Sequence, residues 1–120
     1  MAKHYSISSR EDYVLIAFDL PPDLPALREV AVDLIENFIE SRQFLWDFSN
    51  GFALTPDEMR EIADGAKKVA PRTSRRVAIV APEDLNYGLL RIFEVYREKE
   101  GSQVKVFRNR ELASEWISST

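Results

Sequence analysis

The chain has 120 residues, 45% of them hydrophobic and 30% charged, with a formal net charge of −4, one His and no Cys. The length fits one domain with one sizeable core, and the composition is too apolar for disorder. The absence of Cys excludes a disulfide framework, a thiolate nucleophile, a Cys-based zinc site and an iron–sulfur cluster, and the single His4 excludes a His-rich metal site.

A Ser-His-Asp triad would have to recruit that terminal His4. The acidic balance, with a pI near 5.1, argues against a nucleic-acid binder, which needs a concentrated basic face. Residues Met1 to Tyr5 contain no apolar h-region, so no secretory leader is expected. The longest apolar run, Tyr13–Phe18, is too short to span a bilayer. The expectation is a cytoplasmic protein without integral membrane association.

In chain order, a short strand covers Tyr5–Ser8, and Arg10-Glu11-Asp12 forms a turn. Tyr13–Phe18 follows as a strand apolar at successive positions, the mark of burial on both faces. Pro21-Pro22 stops it, and Pro25 suits the first turn of a helix whose stripe is Leu27, Val30, Ala31, Leu34, Ile35 and Phe38. Phe44–Phe48 is the next strand, and Ser49-Asn50-Gly51 is turn chemistry.

Thr55-Pro56-Asp57-Glu58 is a capping box with Pro at the first helical position. Met59, Ile62, Ala63, Ala66 and Val69 make that helix's apolar stripe, and Pro71 lies beyond its end. Arg76–Ala81 is another doubly buried strand. Asp84 is expected to cap a helix running to about Glu100, with Gly101 at its C-cap. Gln103–Phe107 is the last strand, and Asn109 caps a final helix carrying Leu112, Ala113, Trp116 and Ile117. The order β-β-α-β-α-β-α-β-α predicts a single α/β domain over residues 1–120. Its five-stranded sheet is mixed and mainly parallel, with only the first strand antiparallel to its neighbour.

The residues Arg76-Val77-Ala78-Ile79-Val80-Ala81-Pro82, then Tyr87-Gly88-Leu89-Leu90-Arg91, Val106-Phe107-Arg108, Ala113 and Trp116-Ile117 resemble the SpoIIAA-like branch of the STAS (anti-sigma-factor antagonist) superfamily. The resemblance implies a βα superhelix. It also implies a relation to non-enzymatic protein-interaction modules, which are switched by phosphorylation of a Ser at the start of the helix after the central strand. With Asp47-Phe48-Ser49 at the end of that strand, the family's Asp-Ser-Ser/Thr-Gly falls at Thr55-Pro56-Asp57-Glu58. The acceptor position then holds Pro56 or Asp57, so the usual phosphoacceptor Ser is missing. Lipid carriers of the CRAL-TRIO type share the superhelical architecture, a likeness of fold only.

Two groups of residues are candidates for function. Ligands of parallel sheets favour the carboxyl ends of strands, which here gather Asp19, Asp47, Ser49, Asn50, Glu83, Asp84 and Arg108. Converging carboxylates can do acid–base work, yet Asp, Ser and Asn are also the residues that cap helices and make turns. The second group is the helix surface Tyr87, Leu90, Arg91 and Glu94, outside an inward arc of Leu85, Leu89, Ile92, Phe93, Val95 and Tyr96. Arg91 is placed to stack on Tyr87, and Gly88 to permit close backbone packing.

The basic run Lys67, Lys68, Arg72, Arg75 and Arg76 reads as a solvated helix end. Trp46 and Trp116 read as core, whereas Phe38, Phe44, Phe48 and Phe52 fill a core or line an apolar cavity. The sequence thus favours a non-enzymatic interaction or regulatory module, expected as a homodimer or with another protein partner. The alternative is a carrier of a small apolar, lipid-like ligand. A hydrolase using Asp47 and Ser49 lacks a base. No catalytic residue, metal or cofactor is expected.

Overall fold

The computed structural model describes residues 5–37, 43–52, 54–69, 76–84, 87–88, 90–91, 94 and 103–119, with the side chains of 35 and 63–69 outside that description. The strands are β1 (Tyr5–Ser9), β2 (Val14–Phe18), β3 (Gln43–Asp47), β4 (Arg76–Val80) and β5 (Gln103–Phe107). The helices are α1 (Leu24–Asn37), α2 (Pro56–Val69) and α3 (Arg110–Ser118). Between β4 and β5, residues Asp84, Tyr87, Gly88, Leu90, Arg91 and Glu94 are helical. This is the expected element order.

The sheet runs β1-β2-β3-β4-β5, with β1 antiparallel to β2 and the other pairs parallel. Each crossover moves one strand in the same direction, so crossovers of one hand put their helices on one face. That face carries Val14, Ile16, Phe18, Phe44, Ile79 and Val106 of the sheet. Leu27 and Val30 of α1, Met59 of α2 and Leu90 cover it. The opposite face carries Leu15, Leu45, Ala78 and Val80, covered by Ala113 and Ile117 of α3. Ala78 and Ala113, both 0% exposed, let α3 lie close against β3 and β4. Burial on both faces explains the unbroken apolar runs in β2 and β4.

Local chemistry sets the boundaries. Asp23 caps α1, its carboxylate accepting from Ala26 N at 3.0 Å, so Pro25 occupies the second helical position. The capping box of α2 is complete: Glu58 N donates to Thr55 Oγ1 at 3.2 Å, and Thr55 N donates to Glu58 Oε1 at 2.9 Å. Such a cap stabilises by about 1 kcal/mol. Asn109 caps α3 through Leu112 N at 2.9 Å. The β3–α2 connection turns at Phe48–Gly51, with Gly51 N donating to Phe48 O at 2.8 Å. Gly51 has φ 83°, which a side-chain-bearing residue rarely adopts.

Several expectations need correction. Ala31 and Leu112 are exposed, Leu112 at 49%, because each lies at the margin of its helix's stripe. The first helical hydrogen bond after β4 runs from Tyr87 N to Glu83 O at 2.8 Å, so Glu83 occupies the cap position and Asp84 the first turn. Gly88 is exposed, and a methyl group there would meet nothing within 4 Å, so it permits no close packing. Arg76 is not a solvated end of α2: it donates to Trp116 O at 3.1 Å and to the carbonyl of Ser119, and lies 5.4 Å from the Trp116 ring centroid. It places a cation at the C-terminus of α3, where the helix dipole favours one. Lys67 and Lys68 have undescribed side chains, and Phe38, Arg72, Arg75 and Gly101 lie outside the described residues.

Candidate functional site

The carboxyl ends of the parallel strands are the first place to look. Asp47 closes β3, in register with Ala17 of β2 and Val80 of β4, and points to the α3 face. It is 8% exposed, the one buried polar or charged side chain among the described residues. Burying a carboxylate is costly unless it is paired and hydrogen-bonded. Arg110, in the first turn of α3, supplies the pair: its Nε and Nη2 each lie 3.0 Å from Asp47 Oδ2. Oδ1 accepts from Ser49 N at 2.9 Å and from the Ser49 hydroxyl. Both carboxylate oxygens are thus committed to holding the β3–α2 turn and the start of α3.

The other strand-end residues are tied similarly. Asn50 Nδ2 donates to Phe18 O at 2.7 Å, stitching this turn to the end of β2. Arg108, just past β5, pairs with Asp84 at 2.5 Å and donates to Pro82 O at 3.3 Å. Its guanidinium lies 4.1 Å from the Tyr87 ring centroid. The structure therefore joins Asp47 with Ser49, and Arg108 with Asp84. Asp19 and Glu83 are exposed, and among the described residues no hydrogen bond or ion pair links their carboxylates to the others. Nor is any group of three or more His, Asp or Glu placed to hold a metal ion among the described residues.

Sequence reasoning missed Arg110. Its signal was a cation in the first turn of a helix, where the dipole disfavours it. Such a residue invites the question of which anion holds it there, and Asp47 is the answer.

The second candidate group changes more. Leu90 is 3% exposed and belongs to the core with Phe18, Ile79 and Val106, so it cannot form a contact surface in the folded chain. Tyr87 is half-buried against the same core. Glu94 Oε2 accepts from Val106 N at 2.8 Å, and Oε1 accepts from Arg91 Nη1 at 2.7 Å. Residues 87, 90 and 94 thus mark the sheet-facing side, at helical spacing. Glu94 faces the sheet because its partner is a backbone N–H on an edge strand; the arc residues Leu85, Leu89, Ile92, Phe93, Val95 and Tyr96 lie outside the described residues. Arg91 pairs with Glu94, and Arg108 takes the expected place of Arg91 on Tyr87.

The aromatic group lies on the α1–α2 face of the sheet. Phe18 and Phe48 stack with centroids 5.2 Å apart and planes 7° apart. Trp46 stacks on Phe48 at 6.2 Å, and Phe52 meets Phe48 edge-on at 5.7 Å. Phe44 is buried in the same core. Trp116 packs against Phe107 on the opposite face.

Architecture and strand order define a SpoIIAA-like fold. The chain is similar to an uncharacterised protein of the DUF3478 family with a SpoIIAA-like fold from Shewanella loihica PV-4. The TM-score is 0.62 at 15% identity, over 94% of this chain and 91% of the other. At that identity the likeness shows the fold alone. No family model matches the chain, and no curated protein matches its sequence. No helix among the described residues is long and apolar enough to cross a membrane.

Proposed function

We propose that the protein is a non-enzymatic interaction or regulatory module of STAS type that works without the usual phosphoacceptor Ser. The observation that carries this reading is the state of the strand ends. Most of the groups that would have to do chemistry there are spent on structure, Asp47 on Ser49 and Arg110, Asn50 on a backbone carbonyl and Arg108 on Asp84, while Asp19 and Glu83 stand exposed and apart from them. At the start of α2, Thr55 and Glu58 are engaged in the cap, and Asp57 projects with 92% side-chain exposure. A fixed negative charge stands where the resemblance places a switchable one. The SpoIIAA-like fold is consistent with this role.

The contact surface in this reading is the outer side of Tyr87 with Arg91 and Arg108, and the first partner is a second copy of the chain. Tyr and Arg are among the residue types enriched at interface centres, and here Arg108 lies over the half-buried Tyr87. Sedimentation velocity on wild type and on Tyr87→Ala with Arg91→Glu tests it. The expected result is a dimer that becomes a monomer with an unchanged circular dichroism spectrum. A dimer whose sedimentation coefficient survives both substitutions contradicts this surface.

A carrier of an apolar ligand would draw on the aromatic array. The ring-on-ring contacts of Phe18, Trp46, Phe48 and Phe52 favour rings that fill the space themselves.

A further inference from the structure

The two edges of the sheet are treated differently. Ala81 N donates to Phe107 O, so Phe107 presents its backbone to β4 and Val106 presents its own outward. That outward N–H is already taken by Glu94, and β5 also carries the exposed Lys105. An edge plugged by a side chain and marked by a lysine is protected against strand addition.

On β1, no described residue plugs Ile7 or Ser9 in this way. Arg10 N donates to Tyr13 O, making that pair a hydrogen-bonded one. Pairs alternate in an antiparallel ladder, so with the register Ser8↔Leu15 and Ile7↔Ile16 the backbones of Ser6 and Ser8 face β2. Those of Ile7 and Ser9 face away from the sheet, and no hydrogen bond from another described residue reaches them. The strand Tyr-Ser-Ile-Ser-Ser has no charge, proline or bulge.

What lies beside this edge selects its occupant. Tyr5 Oη donates to Asp33 Oδ2 at 3.1 Å, which puts the Asp33 flank of α1 over β1. Glu29 precedes Asp33 by four residues and Glu36 follows it by three, so the three carboxylates share one helix face. Glu29 and Glu36 are exposed. A second copy paired antiparallel on β1 would be related by a two-fold axis perpendicular to the sheet. Its own acidic α1 flank would then face this one on the same side, a like-charge arrangement.

We infer that the β1 edge, with the exposed carboxylates of Glu29 and Glu36 beside it, is a docking site for an extended basic segment of another protein. That segment adds as a sixth strand. Main-chain bonds to Ile7 and Ser9 supply affinity, and alternate Lys or Arg side chains meeting α1 supply selectivity. The site is separate from the Tyr87 surface, so its failure leaves the interaction reading of that surface standing.

The test uses the full chain, isotope-labelled, with a short peptide alternating Lys and Val and a control alternating Glu and Val. The Lys peptide is expected to slow amide exchange at Ile7 and Ser9 and to shift β1 and α1 resonances, while the Glu peptide does neither. Ser9→Pro removes one outward donor from an exposed position without touching the β1–β2 ladder, and is expected to abolish binding. Glu29→Lys with Glu36→Lys is expected to weaken it about tenfold. Binding indifferent to both variants overturns the proposal. So do shifts centred on Tyr87 and Arg91, or protection of Ile7 and Ser9 by self-association in the absence of peptide.

Discussion

Asp47 and Arg110 illustrate how one buried charge organises a strand end. Asp47 has 10% side-chain exposure and Arg110 47%, so the two partners pay unequal costs when separated. Removing Asp47 leaves an arginine that water can reach. Removing Arg110 leaves a buried carboxylate with only Ser49. Arg110→Ala is therefore expected to destabilise by about 2–3 kcal/mol, and Asp47→Asn by less, about 1–2 kcal/mol. Urea unfolding of the single and double variants checks this, with a coupling of about 1 kcal/mol or more expected. Additive single effects would mean that the pair contributes little as a pair. The residue scale is also where the sequence was least legible. Arg110 and Asp47 stand 63 residues apart, and only the return of α3 across the sheet, with its start at the end of β3, brings them together.

Among elements, the strands and the caps were legible. Apolar runs, prolines and the Thr55–Glu58 box act locally, and the structure places β1 to β5 within a residue or two of where those signals put them. Between β4 and β5 the inward direction of Leu90 and Glu94 was not legible, because apolar side chains on several sides left it open. Two facts outside the helix fixed it: the core cluster that takes in Leu90, and the Val106 N–H that Glu94 satisfies. Gly88 is a by-product of this arrangement. It is helical and exposed, with open space where a Cβ would stand. Gly88→Ala is expected to stabilise the fold by about 0.5–1 kcal/mol through the backbone freedom it removes from the unfolded chain. Thermal unfolding measures this, and a destabilised variant would mean that the glycine serves a backbone requirement.

At the scale of the whole molecule, the order β1-β2-β3-β4-β5 stacks the crossover helices on one face and leaves α3 to cover the other. The fold class was legible because alternating strands and helices admit few topologies. The candidate site was half legible: Asp47, Ser49 and Asn50 do meet at strand ends, yet as turn chemistry, and Asp84 and Arg108 as an ion pair. In the proposed function the molecule acts by binding proteins through its surface, without a bound small molecule or a covalent switch. Native mass spectrometry on protein purified gently from its own host tests it most directly, because subunit number, noncovalent adducts and covalent phosphate are read together. The expected result is a clean mass of two chains with neither adduct nor phosphate. A reproducible apolar adduct would make the aromatic face a ligand site, and a phosphorylated chain would restore the switch that Pro56 and Asp57 argue against; either result contradicts the claim.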